Sequence, residues 1–337
     1  MVPTPAVDVA EKLFADLRAR TSQGRGIVRD SYGPGEQLAH ALVRAEAAAH
    51  GLEIVRDPAL NLYMTLPGRD RAAPALFMGS HLDSVPQGGN YDGASGVVAG
   101  LAAVVGLRRA GMVPRRDITV MAIRAEEAAW FDGSYIGTHA AFGALPPGFI
   151  DSVRRSDTGR SMADHLAECG GDVAAVRRGE RHLRPERVGA FVEVHIEQGP
   201  VLEGAGLPLG IVSGIRGCRR FRNARCYGGY SHSGAQPRRF RRDAVAATVA
   251  LISALQADWV RLEEEGKDLT FTVGELTTDP AMHGPSKVSG ETRFVLDFRS
   301  LDDDVMAWMR DRALALAAEI GRAYDVRFDL GEPIFSA

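Results

Sequence analysis

Seven side chains of types that bind metal ions fall in three short stretches of the sequence. They are His81, Asp83 and Asp92 in the first stretch, Glu126 and Glu127 in the second, and His195 and Glu197 in the third. Imidazole and carboxylate ligands together suit Zn, Mn, Ni or Co, and one carboxylate can bridge two such ions. If the three stretches meet in the folded chain, they predict a site for divalent metal ions.

Each stretch taken by itself has a simpler interpretation. A single His at the end of a strand is often a structural residue with a hydrogen bond, and two adjacent Glu residues often lie in a solvated turn. The run "QGGNYDGASG" has the glycine content of a phosphate-binding loop, but it lacks the Gly-Lys-Ser/Thr ending of such loops. The coincidence of three stretches favours the metal site and leaves the simpler interpretations open.

Each stretch lies at the end of a segment that is predicted to be a buried strand. The three segments are "APALFMGSH", "DITVMAIRAEE" and "GAFVEVHIEQG". Helices are predicted at about residues 5–22, 36–50 and 94–109. Strands that alternate with helices predict an α/β fold with a mostly parallel sheet. The carboxyl ends of parallel strands line the ligand crevice of such sheets, which would bring the three stretches together.

The pattern changes after about Leu207. Four segments show the partial alternation of strands: "PLGIVSGIRG", "RRFRNARCYGGYS", "DLTFTVGELT" and "ETRFVLDFRS". Helices are predicted at about residues 243–264 and 302–324, and the final segment "YDVRFDLGEPIFSA" reads as one more strand. This order predicts a second, α+β domain with an antiparallel sheet and helices on one face.

Composition limits the kinds of partner. The 337 residues suit two domains, and the formal net charge of −3 does not by itself decide about nucleic acid; we expect no nucleic-acid partner. No signal peptide is recognisable, and the longest apolar run, from Gly96 to Leu107, is too short to span a membrane, so we expect no membrane association. Three Cys without paired metal spacing favour a reducing, cytoplasmic location.

Five motifs occur in an order that resembles one family of enzymes. "GSHLDSVPQGGNYDGASGV", "AEEAAWF", "HIEQGPVLE", "SHSGAQPRRFRRDA" and "LDFRS" are similar to motifs of the metal-dependent amidohydrolases of the peptidase M20 superfamily. The motif "HIEQGPVLE" is specific to the hydantoinase/carbamoylase branch, which contains N-carbamoyl-L-amino acid hydrolases, β-ureidopropionases and allantoate amidohydrolases. The resemblance covers almost the whole chain. It implies a catalytic domain at 1–207, an inserted lid and dimerisation domain at 208–325, and the start of a return to the catalytic domain at 326–337.

The resemblance also implies the roles of the metal-site residues. His81 and His195 would bind a first metal ion, Glu127 would bind a second, and Asp92 would bridge the two. Glu126 would be the general base that takes a proton from the attacking water. The substrate would be a small ureido or amide compound that carries a carboxylate.

Five further residues receive supporting roles from the resemblance. Asp83 would hydrogen-bond His81 and fix its tautomer. Gln198, His232 and Arg299 would contact substrate: His232 would polarise the scissile carbonyl, and Arg299 would clamp the substrate carboxylate from the partner subunit of a homodimer formed through the lid. Ser286 stands where the family has an Asn, so substrate preference is expected to differ from that of other members.

The second metal site is expected to be weak. In the family, a His in a "GHDA"-like motif beyond the lid is the last ligand of the second metal, whereas the last His here is His283, a poor candidate in a lid loop. Up to two divalent ions are therefore expected, with impaired activity. The alternatives are an M20 aminoacylase or dipeptidase, and a non-catalytic dimeric derivative that binds a metabolite or a partner.

Overall fold

The structure, a computed structural model, describes residues 3–336. The described residues form two compact units that divide between Pro208 and Leu209. The elements of the first unit are α1 (Val7–Thr21), β1 (Ser22–Gln23), β2 (Gly26–Ile27), α2 (Pro34–Ala49), β3 (Glu53–Arg56), β4 (Leu62–Leu66), β5 (Ala75–His81), α3 (Ala94–Arg109), β6 (Ile118–Ile123), α4 (Ile136–Ala141), α5 (Phe149–Ser152), α6 (Met162–Glu168), α7 (Val173–Arg177), β7 (Val188–Val192) and α8 (Val201–Gly204).

The first unit is built on a five-stranded sheet in the order β3-β4-β6-β5-β7. Strand β5 is parallel to β6 and to β7, whereas β3 with β4 and β4 with β6 are antiparallel. The predicted α/β class is confirmed, and the sheet is mixed. The hairpin β3–β4 was not predicted; its connection of residues 57–61 is too short for a parallel crossover.

A large apolar core lies between this sheet and helices α1, α2 and α3. Leu13, Val43 and Val98 contribute one side chain from each helix, and Met64 and Val120 contribute from the central strands; all five are fully buried or nearly so. The predicted helix at 94–109 coincides with α3. Because α3 follows directly on the "QGGNYDG" loop, packing of α3 also anchors the first ligand stretch.

The segment at 189–199 differs from its prediction as a buried strand. Strand β7 ends at Val192 and is exposed, with Phe191 45% and Val192 49% accessible. The physical reason is its position, since β7 forms the edge of the sheet and pairs only with β5 among the described residues. An apolar run therefore identified the strand but not its burial.

The second unit contains an antiparallel sheet covered on one face by two long helices. Its elements are β8 (Gly217–Tyr227), β9 (Ser231–His232), α9 (Ala244–Glu264), β10 (Thr270–Thr272), β11 (Leu276–Thr278), β12 (Lys287–Val288), β13 (Glu291–Ser300), α10 (Asp303–Tyr324), β14 (Arg327–Asp329) and β15 (Ile334–Ser336). Strand β13 pairs with β8, β10 and β11. Its alternate residues Phe294, Leu296 and Phe298 are buried in the core that α9 and α10 complete.

Two sequence predictions for this unit need correction. The segment "PLGIVSGIRG" contains no strand up to Arg216 and is exposed, with Ile211 fully accessible, because no neighbouring strand pairs with it in the described chain. Residues 326–337 were expected to begin a return to the first domain. Instead, β14 and β15 both pair with β8 and extend the sheet of the second unit.

Helix α9 is the one helix in residues 3–336 whose length and hydropathy would suit a membrane span. Its fully buried residues include Ala247, Leu251 and Leu255, which pack in the core of the second unit. Packing against the sheet therefore accounts for part of its apolar character.

Candidate metal centre

His81 lies at the end of β5 and is only 2% exposed. Its Nδ1 is 3.0 Å from the backbone carbonyl oxygen of Asp83 and 3.3 Å from the carboxylate oxygen Oδ1 of the same residue. Because a carbonyl only accepts, Nδ1 carries a proton, and Nε2 is the nitrogen that would bind a metal ion after losing its own proton. Asp83 therefore fixes the His81 tautomer through its backbone as well as its side chain.

The carboxylate of Asp83 also holds the second ligand stretch. The backbone N–H of Glu126 donates to Oδ1 at 3.1 Å, and that of Glu127 donates to Oδ2 at 3.2 Å. The hydroxyl of Ser31 donates to Oδ2 at 2.7 Å. Asp83 is fully buried, so these bonds satisfy a charge that water does not reach.

Asp92 and His195 complete a group with His81. Ligand atoms of these three residues lie within 4.8 Å of one another, and His195 Nε2 is 3.4 Å from Asp92 Oδ1. His195 Nδ1 donates to the backbone oxygen of Ile196 at 2.9 Å, which leaves Nε2 as an acceptor. Asp92 Oδ1 is buried and has no hydrogen-bond partner. A buried carboxylate oxygen without a hydrogen-bond partner, within 4.8 Å of an imidazole nitrogen of each His, fits a bound cation.

Glu126 and Glu127 form a second group with His81, again with ligand atoms within 4.8 Å of one another. Burial and the nearby carboxylates raise the pKa of Glu127 to about 7, and burial raises the pKa of Glu126. Burial by itself would lower the pKa of His81, but Asp83 and the two Glu carboxylates raise it to about 9. The carboxylates are thus crowded in a partly buried space, and a divalent cation would offset their repulsion.

The remaining residues of the third stretch make local contacts. Glu197 accepts the backbone N–H of Leu202 at 2.9 Å and so caps α8. The side-chain amide of Gln198 donates to Asp92 Oδ2 at 2.8 Å, and Gln198 has a φ of 57°. The structure therefore places Gln198 against a predicted metal ligand, and Glu197 lies outside both ligand groups.

The other predicted substrate residues lie in the second unit. His232 and Ser286 are close because β9 pairs with β12, and the N–H of Ser233 donates to the Ser286 carbonyl at 2.9 Å. The N–H of Gly234 donates to His232 Nδ1 at 3.1 Å. Arg299 lies on β13, half exposed, with Nη2 3.1 Å from Asp297 Oδ2.

Sequence reasoning missed Arg29, which is fully buried. Its Nε donates to the Leu82 carbonyl at 2.6 Å, and its Nη2 donates to the Asp92 carbonyl at 3.0 Å. It therefore fixes the loop between His81 and Asp92 from a position more than fifty residues away in sequence. The stretch "GIVRDSYG" carries no spacing that indicates this role.

Imidazole and carboxylate groups that meet near the ends of parallel strands of an α/β sheet are the ligand types of a divalent-metal site, an arrangement that metal-dependent hydrolases use. A family model described as Peptidase family M28 matches residues 61–144, which hold the first two ligand stretches.

Relatives over nearly the whole chain are more specific. The chain is 37% identical over 310 residues to an N-carbamoyl-L-amino acid amidohydrolase of Geobacillus stearothermophilus, covering 90% of this chain and 71% of that protein. It is 32% identical over 284 residues to an allantoate amidohydrolase of Escherichia coli, covering 83% of this chain and 66% of that protein.

A solved structure agrees with these relatives. A hydantoinase/carbamoylase family amidase from Burkholderia ambifaria is 26% identical and superposes with a TM-score of 0.84, covering 100% of this chain and 79% of that one. The chain therefore belongs to the hydantoinase/carbamoylase family of amidases, as its motifs predict.

Proposed function

We propose that this protein is a metal-dependent amidohydrolase that cleaves a C–N bond of an N-carbamoyl-L-amino acid or a related ureido acid. The observation that carries the proposal is the pair of ligand groups that share His81, found in a chain whose relatives are named for these reactions. The substrate is a small molecule with a carboxylate.

His81, Asp92 and His195 would hold the first divalent ion, and Glu127 would hold a second together with Asp92. Zn, Mn, Ni and Co all suit this mixture of imidazole and carboxylate. When bound in such a site, a divalent ion supplies Lewis acidity towards a carbonyl and towards water. The second ion would be held more weakly, because its proposed ligands are two carboxylates without an imidazole.

Glu126 is the proposed general base. It lies in the same group as His81 and Glu127, and burial raises its pKa, which makes its carboxylate a stronger base. The buried Asp83 carboxylate holds its backbone in place. Glu126 would take the proton of the attacking water and pass it to the leaving nitrogen.

His232 is proposed to donate a hydrogen bond to the oxyanion. Since Gly234 N–H occupies Nδ1, the neutral ring carries its proton on Nε2, which makes that nitrogen a donor. Arg299 is proposed to bind the substrate carboxylate, with Gln198 and Ser286 as further polar contacts. We also propose a homodimer formed through the second unit, in which Arg299 serves the partner's site.

A substrate panel with metal analysis tests this function. The purified chain would be incubated with Mn²⁺ or Zn²⁺ and assayed with N-carbamoyl-L-amino acids, β-ureidopropionate and allantoate, and with N-acetyl amino acids and dipeptides as competing classes. Turnover confined to ureido compounds, lost with chelator, is the expected result. Faster turnover of N-acyl amino acids or dipeptides would support an aminoacylase or dipeptidase instead. Metal binding without turnover of any class would support a non-catalytic derivative.

A further inference from the structure

The turn that carries Glu126 and Glu127 is held by buried carboxylates at three successive backbone N–H groups. The N–H of Ala125 donates to Glu36 Oε1 at 3.0 Å, and the next two donate to Asp83. Glu36 and Asp83 are both fully buried. The backbone at 125–127 is therefore fixed by side chains from two distant segments of the first unit.

The carboxylate of Glu36 accepts hydrogen bonds from two residues whose backbone is in the left-handed conformation. Ala125 has a φ of 48° and Tyr32 a φ of 49°, and both are buried. The Tyr32 N–H donates to Glu36 Oε2 at 2.7 Å. A left-handed conformation is unfavourable for a non-glycine residue and persists where surrounding contacts enforce it. Glu36 supplies such a contact to both residues at once.

The charge of Glu36 is balanced within the same turn. Arg124, which precedes Ala125 and is also buried, donates from Nη1 to Glu36 Oε2 at 2.9 Å. A buried ion pair contributes little net stability, because desolvation offsets most of the attraction. The ion pair does, however, connect two particular elements. It links the residue that follows β6 to α2, immediately before Glu126 and Glu127.

We propose that Glu36 is a positioning residue that holds Ala125 in the left-handed conformation and thereby directs Glu126 and Glu127 towards His81. The inference rests on the proposed function, because it assigns Glu36 to the same hydrolytic site. Glu36 does not touch the substrate in this proposal; it acts through the backbone of the turn.

The test is Glu36→Asp. Aspartate keeps a negative charge beside Arg124 but retracts the carboxylate by one methylene, so the bond to Ala125 N–H should be lost. We expect kcat to fall about 10- to 100-fold with KM changed less than about threefold, since small misplacement of a catalytic group has effects of this size. Hydrogen exchange of the peptide that contains residues 125–127, measured by mass spectrometry on the folded, metal-free protein, should become faster.

Glu46→Asp is the matched control. Glu46 is a buried carboxylate on the same helix. It pairs with Lys12 and His50 and has no hydrogen bond to residues 125–127. It should leave kcat and the exchange of residues 125–127 within about twofold of the parent. The proposal is overturned if Glu36→Asp keeps parent kcat, or parent exchange at 125–127, whatever its thermal stability.

The exchange measurement also separates the two proposals. If the parent protein turns over no ureido substrate, the proposed function fails, while faster exchange in Glu36→Asp and not in Glu46→Asp still supports the positioning role. If the parent is active and exchange in Glu36→Asp is unchanged, only the positioning role fails.

Discussion

At the scale of the residue, the proposed general base gives the most direct prediction. Glu126→Gln removes the proton acceptor but keeps the shape of the side chain and the backbone bond to Asp83. We expect kcat to fall about 10²–10⁴-fold, the usual contribution of a general base, while metal content stays at the parent value. Steady-state kinetics and elemental analysis measure the two quantities.

The matched control is Glu186→Gln, which changes an exposed Glu of the same unit. It should leave kcat unchanged. Parent-like turnover by Glu126→Gln would assign the proton transfer to another group.

A second residue-scale prediction concerns His40 on α2. The ring is buried, neither nitrogen has a well-formed hydrogen bond, and burial together with the charge of Arg124 lowers its pKa well below the usual value. Below about pH 6.5 the unfolded chain gains a proton at this residue and the folded chain does not. The free energy of unfolding therefore decreases as pH falls below 6.5, by up to about 1.4 kcal/mol per pH unit. Above about pH 6.5 His40 is neutral in both states and causes no such decrease.

The variant His40→Leu removes this protonation. We expect its free energy of unfolding in urea to fall less than that of the parent between pH 7.5 and pH 5.5. Equal losses in the two proteins would show that His40 is protonated in the folded state.

At the scale of the element, the start of α9 depends on one side chain. The carboxylate of Asp243 accepts the N–H of Ala246 at 3.0 Å, and no acidic residue lies in the first turn. Asp243→Ala should lower the free energy of unfolding of the second unit by about 1 kcal/mol, because a backbone donor loses its cap. Chemical denaturation followed by the fluorescence of Trp259, within the same helix, reports the change.

The control for this helix is Glu263→Ala, an exposed residue near its other end. It should change stability by less than about 0.5 kcal/mol, as is usual for surface positions. If the two variants were equally stable, the Asp243 cap would have no energetic role.

At the scale of the whole molecule, the ligand sets predict unequal metal binding. The proposed first site has two imidazoles and a carboxylate, whereas the second has Asp92, shared, and Glu127. Titration of the metal-free chain with Zn²⁺ or Mn²⁺ should show one ion bound tightly and a second bound more weakly. Two ions held with equal affinity would mean that a further group binds the second ion.

Assembly gives the other whole-molecule prediction. We expect a homodimer through the second unit at micromolar concentration, where β10 and β11 leave one edge of the sheet unpaired among the described strands. Sedimentation equilibrium over a range of concentrations measures the mass. A monomer would remove the proposed role of Arg299 in a partner's site.

Much of the local structure could be predicted from the sequence. The segments at 94–109 and 291–300 coincide with α3 and β13, because their apolar spacing and the turn residues at their ends are properties of a single segment. The three ligand stretches were found for the same reason, since each lies near the end of an apolar strand. Their convergence followed from a general rule about parallel strands.

What only the tertiary structure decided is which distant segments touch. Arg29 donates to the carbonyl of Leu82, and Glu36 accepts the N–H of Ala125; each pair is more than fifty residues apart in sequence. No sequence motif predicts hydrogen bonds of this kind. The same holds for burial: "GAFVEVHIEQG" and "PLGIVSGIRG" are apolar, yet both are exposed because one is at an edge and the other has no strand partner. A sequence pattern reports the preference of its own segment, whereas burial and hydrogen bonding depend on the neighbours that the fold supplies.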